Sequence, residues 1–192
     1  MRNVLFLSFA ILFFTGCSQK KDKKQGGKKV ENNEYTVSKD GIGELKIGLT
    51  RQQLEKILKQ QLSMKHEGDA EAWADTATTK YRDIEVTLYF ERYTDDNEAP
   101  AMQLTAVKTS SALCKTESGL GIGDEKTAII NAYDDNPVDM GPEYEQVNDS
   151  TWAPSKIKYN INIKDDKWDR QLIFQLVNKK VASVGASIIM GE

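Results

Sequence analysis

Hydrophobic positions along the chain change their period several times, and each change marks an element. From Val4 to Phe14 they are nearly continuous, broken only by Ser8, over 11 residues. Leu54, Ile57, Leu58 and Leu62 recur at i, i+3, i+4 and i+8, which predicts a helix with one apolar stripe. Thr50 suits its N-cap, Gln53 completes a capping-box pattern, and Leu49 and Leu54 have the spacing of a hydrophobic staple. The period then drops to two. Ile84, Val86, Leu88 and Phe90 alternate with Asp83, Glu85, Thr87, Tyr89 and Glu91, the pattern of a strand with one dry and one wet face. Met102 to Thr109 reads as a further strand. A second helix is predicted from Asp124 as cap, with Ala128, Ile129, Ala132 and Tyr133 inward, and Pro137 bars its continuation. Ile157, Tyr159, Ile161 and Ile163 alternate in turn with polar neighbours. Turns at Asp165-Asp166-Lys167 and Asn178-Lys179-Lys180 separate that strand from Arg170–Val177 and Val181–Ile189.

The two halves look alike. Aligning Gly48 with Gly123, an offset of 75 residues, matches Ile47 to Ile122, Leu54 to Ile129 and Leu58 to Tyr133. The expected fold class is therefore α+β: two tandem copies of a short helix followed by about three antiparallel strands, sharing one core or a continuous sheet. The expected boundaries are a signal peptide over 1–16, a lipidated cysteine and flexible tether over 17–36, and helix-plus-sheet repeats over 37–113 and 114–192.

Charge separates the tether from the body. Ser18 to Lys29 holds six lysines, one aspartate and no apolar side chain, a net +5 that cannot repay the entropy of folding. Val30 to Glu192 holds 19 basic and 28 acidic residues, a net −9. An acidic body argues against a nucleic-acid partner, which demands a basic surface. The 11-residue apolar run is about half the ~20 residues needed to span a bilayer and reads as a secretory signal. Phe14-Thr15-Gly16-Cys17 at its end resembles the lipobox of bacterial lipoproteins, which implies a lipid on Cys17. Ser18, in place of the aspartate that resembles an inner-membrane retention signal, points to the outer membrane, facing the periplasm.

Catalytic chemistry is nearly absent from the sequence. His66 is the one histidine, and no G-x-S-x-G elbow accompanies it. With Cys17 lipidated, Cys114 is the single remaining thiol and reads as a small buried residue. Asp95-Asp96-Asn97-Glu98, Asp134-Asp135-Asn136 and Asp165-Asp166-Lys167-Trp168-Asp169 lack the spacing of a calcium loop and read as turns. Gly119 to Gly123 lacks the Lys-Ser/Thr ending of a phosphate loop. No enzyme, cofactor or metal site is expected.

The lipobox, followed by Ile47-Gly48-Leu49-Thr50, a short helix and strands, resembles the SmpA/OmlA-type lipoproteins of outer-membrane β-barrel assembly. The tandem pattern, with Gly121-Ile122-Gly123-Asp124 opening the second copy, resembles the β-lactamase inhibitory protein fold. The resemblance implies binding of another protein through an open sheet face. The chain departs from the assembly-lipoprotein pattern in being duplicated and in carrying Lys59-Gln60-Gln61 where that pattern has a glycine after the helix. The expectation is a membrane-anchored, non-enzymatic module that binds an envelope protein, with its membrane contact made through the N-terminal lipid. A periplasmic small-ligand or lipid-binding lipoprotein is the alternative, and it would need a pocket against the apolar strand faces. Trp73, Tyr89, Trp152 and Trp168 border or project from the predicted strands and are the candidate partner contacts. The tryptophans would equally serve as plugs at the ends of a shared core.

Overall fold

A computed structural model describes residues 34–66, 74–94, 100–167 and 169–189. In chain order the elements are β1 (Thr36–Ser38), β2 (Gly41–Ile42), β3 (Leu45–Lys46), α1 (Arg51–Leu58), β4 (Lys65–His66), β5 (Ala74–Tyr81), β6 (Ile84–Thr94) and β7 (Pro100–Thr109). There follow β8 (Lys115–Thr116), α2 (Lys126–Ala132), β9 (Val138–Asn148), β10 (Thr151–Lys164), β11 (Arg170–Val177) and β12 (Lys180–Ile188). Eight strands form one antiparallel sheet in the order β4-β5-β6-β7-β12-β11-β10-β9, and β3-β2-β1-β8 form a second, small one.

Alternation decides which face of the large sheet is dry. Ile84, Val86, Leu88 and Phe90 on β6 are buried, as are Leu172, Phe174 and Leu176 on β11 and Ile161 and Ile163 on β10. Register carries the apolar rows across strands: Ala77 faces Leu88, Leu88 faces Val107, Val107 faces Ala186, Ala186 faces Leu172, and Leu172 faces Ile163. Val37, Ile42 and Leu45 from the small sheet, Leu54 from α1 and Ile129 from α2 complete the same cluster. Each fully buried Phe or Leu contributes roughly 2–3 kcal/mol relative to exposure. The small sheet and both helices therefore lie against one face of the large sheet. Among the described residues, no element covers the other face.

Local chemistry sets the helix ends. Thr50 Oγ1 accepts from Gln53 N and Gln53 Oε1 accepts from Thr50 N, the reciprocal capping box. Lys59 closes α1 in the left-handed region at φ 55°, where glycine is favoured. α2 departs from expectation at its start. Its N-cap is Glu125 with no side-chain cap bond, and Asp124 Oδ2 instead accepts from Gly121 N at 2.7 Å.

The expected fold class is wrong. Strand takes up 59% of the described residues and helix 11%, so the fold is mostly β and not a tandem helix-plus-strand α+β arrangement. The physical reason lies in element lengths. The helices span eight and seven residues, about two turns each, while β6, β9 and β10 run to 11, 11 and 14. Nor do the strands divide into two groups of three. β5 and β9 had no expected counterpart, and four strands, not three, lie on each side of the seam where β7 pairs antiparallel with β12 from Ala106 to Thr109. Parallel pairing of β1 with β8 ties the N-terminal segment to the strand that follows β7.

Candidate functional site

The uncovered sheet face is mostly polar, though Ile173 on β11 shares it, and Tyr89 lies near its centre. Tyr89 points outward from β6, half-buried, and the Lys108 ammonium on β7 lies 5.3 Å from its ring centroid. Gly185 on β12 stands opposite Lys108, and a Cβ there would come within 2.9 Å of the lysine stem. Glycine therefore leaves room for the side chain to lie across the strand. Burial holds the Lys108 ammonium below the usual lysine range, with the Glu143 carboxylate on β9 acting in the opposite direction. Gln175 on β11 donates to Glu143 across the intervening β10 and accepts from Ser183 Oγ at 2.9 Å. Strands that are not neighbours thus come within reach of one another, as they do on a sheet that curls toward this face.

Beyond the sheet, β9 and β10 continue as a two-stranded arm. β10 pairs with β11 only from Lys158 to Lys164, whereas its pairing with β9 runs on to Thr151. Between Pro154 and Tyr159 the register shifts, and Ser155 Oγ fixes the bulge by accepting from Ile157 N (3.3 Å) and Lys158 N (3.1 Å). A Glu145–Lys158 ion pair at 2.8 Å braces the arm. Tyr144 faces Pro154 and Gln146 faces Trp152, so Tyr144 and Trp152 are diagonal neighbours on one face of the ribbon. Tyr144 is 65% exposed and Trp152 61%.

Of the aromatic residues expected at a binding surface, Tyr89 lies on the open face and Trp152 on the arm. Trp152 does not plug the core. Trp73, Trp168 and Cys17, the residue expected to carry the lipid, lie outside the described residues, as does the acidic stretch 95–98 expected to turn.

His66 and Cys114 are not brought together. His66 Nδ1 lies 2.9 Å from Asp75 Oδ1 at the β4 edge, in a cluster completed by Arg92, while Cys114 is fully buried in the core. Burial pushes the Cys114 thiol up to about 11, the opposite of what a nucleophile needs. Among the described residues no group of three or more His, Cys, Asp and Glu side chains is placed to hold a metal ion. No helix among them is long and apolar enough to cross a membrane.

No known protein family, curated protein or solved structure matches the chain. The functional reading accordingly rests on the surfaces themselves. Sequence reasoning missed Tyr144 and Lys108. Tyr144 continues the alternation of Val138 and Met140 along β9, a signal masked by Gly141-Pro142 between them. Lys108 carried no signal, because only the β7–β12 pairing places it mid-sheet.

Proposed function

We propose that the chain is a membrane-anchored lipoprotein of the bacterial cell envelope whose folded domain is a non-enzymatic protein-binding module. The arm of β9 and β10 carries this reading. A two-stranded ribbon without a third strand is marginally stable by itself, and exposed aromatics on it add little to the fold. Large apolar side chains grouped in the open mark an interaction surface, and Tyr and Trp are favoured anchors there. The open sheet face with Tyr89 and Lys108 offers a broad polar platform beside it. The lipobox ending at Cys17 supports the anchor, and the acidic body supports attachment through that lipid rather than through the domain's own surface.

Photo-crosslinking in native envelopes, followed by partner identification, tests both surfaces. Trp152→Ala and Tyr144→Ala should each weaken capture of the partner at least about fivefold, with the thermal midpoint nearly unchanged. Tyr89→Ala should weaken it too if the platform is engaged. Capture unchanged in all three variants would exclude the proposal, and a collapsed midpoint would assign the residue to the fold. Cys17→Ser should release the protein from the membrane fraction without altering capture in the soluble state.

A further inference from the structure

The strongest unassigned feature is a groove of about 400 Å³ between the start of α2, the bulged part of β10 and the β11–β12 turn. Its floor is apolar: Ile157, Tyr159 and Leu176. Ile157 is 46% exposed, an unusual state for a residue that alternates with core positions. Its rim is cationic, formed by Lys126, Lys156 and Lys179. Lys126 also holds its ammonium 5.8 Å from the Tyr159 ring centroid. None of the three lysines has an ion-pair partner among the described residues, although acidic side chains outnumber basic ones in the body by nine.

Lys179 supplies an independent observation. Asn178 and Lys179 are the two-residue connection between β11 and β12, with φ of 52° and 68°. Such turns strongly prefer asparagine followed by glycine, because both central residues occupy the left-handed region. A lysine in the glycine's place adds nothing to the turn. Its backbone has a task of its own, the Lys179 carbonyl accepting from Lys126 N at 3.1 Å, and glycine would perform it equally well. The side chain is what distinguishes lysine here, and it lines the groove. Lys59 and Arg82 share this conformation at turns away from the groove, so it is the place of Lys179 in the lining, together with its conformation, that sets it apart.

We propose that this groove binds an anionic amphiphile with a single short alkyl chain. Its phosphate or carboxylate head would be held by Lys126, Lys156 and Lys179, and its chain would lie on Ile157, Tyr159 and Leu176. Charge complementarity selects the occupant: three unpaired ammonium groups around one apolar floor match one anionic head on one tail. The volume falls within the roughly 300–1,000 Å³ of small-ligand sites. This site is independent of the protein-binding reading, since it neither includes Tyr144 and Trp152 nor uses the open sheet face.

Octyl phosphate, titrated calorimetrically into the full lipidated chain in phosphatidylcholine nanodiscs and corrected for empty discs, tests the proposal. Binding should saturate at one site per chain, with octyl trimethylammonium and inorganic phosphate each at least tenfold weaker. Lys179→Gly is the decisive variant, because it installs the preferred turn residue. Its thermal midpoint should hold or rise while octyl phosphate affinity falls about fivefold, and Lys126→Met should weaken binding similarly. Unchanged affinity in a well-folded Lys179→Gly protein would overturn the proposal. So would equal binding of the cationic amphiphile, or binding of an acidic aromatic peptide in place of octyl phosphate.

Discussion

Arg92 grips Asp75 with two hydrogen bonds, Nε to Oδ2 at 2.7 Å and Nη2 to Oδ1 at 3.0 Å, although Asp75 is closed off from solvent and sits opposite Phe90 in the β5–β6 register. Those bonds hold the Asp75 carboxyl below the usual carboxylate range, against burial, which raises it, and with help from His66. A carboxyl depressed in the folded state contributes stability that is present above its unfolded value of about 3.9 and is lost as pH falls through the folded value. Acid unfolding should therefore steepen below about pH 4, and Asp75→Asn should flatten that limb. Arg92→Ala leaves Asp75 buried with one partner fewer, a cost of roughly 1–3 kcal/mol for an under-satisfied buried group. Denaturant melts of the two variants between pH 2 and 7 measure both effects.

Lys108 gives the opposite sign. Burial lowers its pKa in the folded protein, so the unfolded chain binds more protons in the alkaline range. Stability contributed by this site should rise with pH through the folded value and level off near the unfolded value of about 10.4. Lys108→Met should remove the rise and add stability at neutral pH. The difference between wild-type and variant melts from pH 8 to 11 isolates this site from the other lysines and tyrosines. Identical slopes would show that the ammonium is solvated.

The seam between β7 and β12 makes a further claim about cooperativity. Val107 is fully buried there, opposite Leu88 on one side and Ala186 on the other. Val107→Ala should cost roughly 2 kcal/mol and lower a single transition seen alike by far-ultraviolet dichroism and tyrosine fluorescence. Two separated transitions would show that the strands on either side of the seam unfold as independent units.

Cys114 should be silent in the native state. Its thiol is fully buried and shifted to about 11, so little thiolate is present at pH 8 and none is in reach. A maleimide should label it only in denaturant, at a rate that follows global unfolding. Rapid labelling under native conditions would reveal local opening around β8.

Some elements could be read directly from their residues. The Thr50–Gln53 box and the stripe beginning at Leu54 located α1, since cap and periodicity agree there. Four alternating apolar residues did the same for β6. The Asn178-Lys179 turn was visible as a break between two apolar runs, though not as a turn with a misplaced lysine. β5 was invisible: Ala-Asp-Thr-Ala-Thr-Thr-Lys-Tyr offers threonines to both faces, and its buried Asp75 looks like a surface residue until Arg92 and His66 come together around it. β9 was hidden by Gly141-Pro142, which reads as a turn yet lies inside an 11-residue strand. Those omissions led to the wrong fold class, because the strands they left out outweigh two short helices. The groove could not have been seen at all. Lys126, Lys156 and Lys179 lie far apart along the chain, and only the packing of the β11–β12 turn on α2 gathers them.

β9 ends the large sheet as a strand of 11 residues, long enough to template the addition of further chains. Pro142 removes one backbone donor from that edge. A twin strand pairing antiparallel about Gly141 would set Asp139 of each copy against Glu143 of the other, acid against acid. The open edge is thus guarded against pairing with a copy of itself, and it discriminates in favour of basic strands. Neutralising Asp139 and Glu143 together would favour a two-fold dimer joined edge to edge through β9.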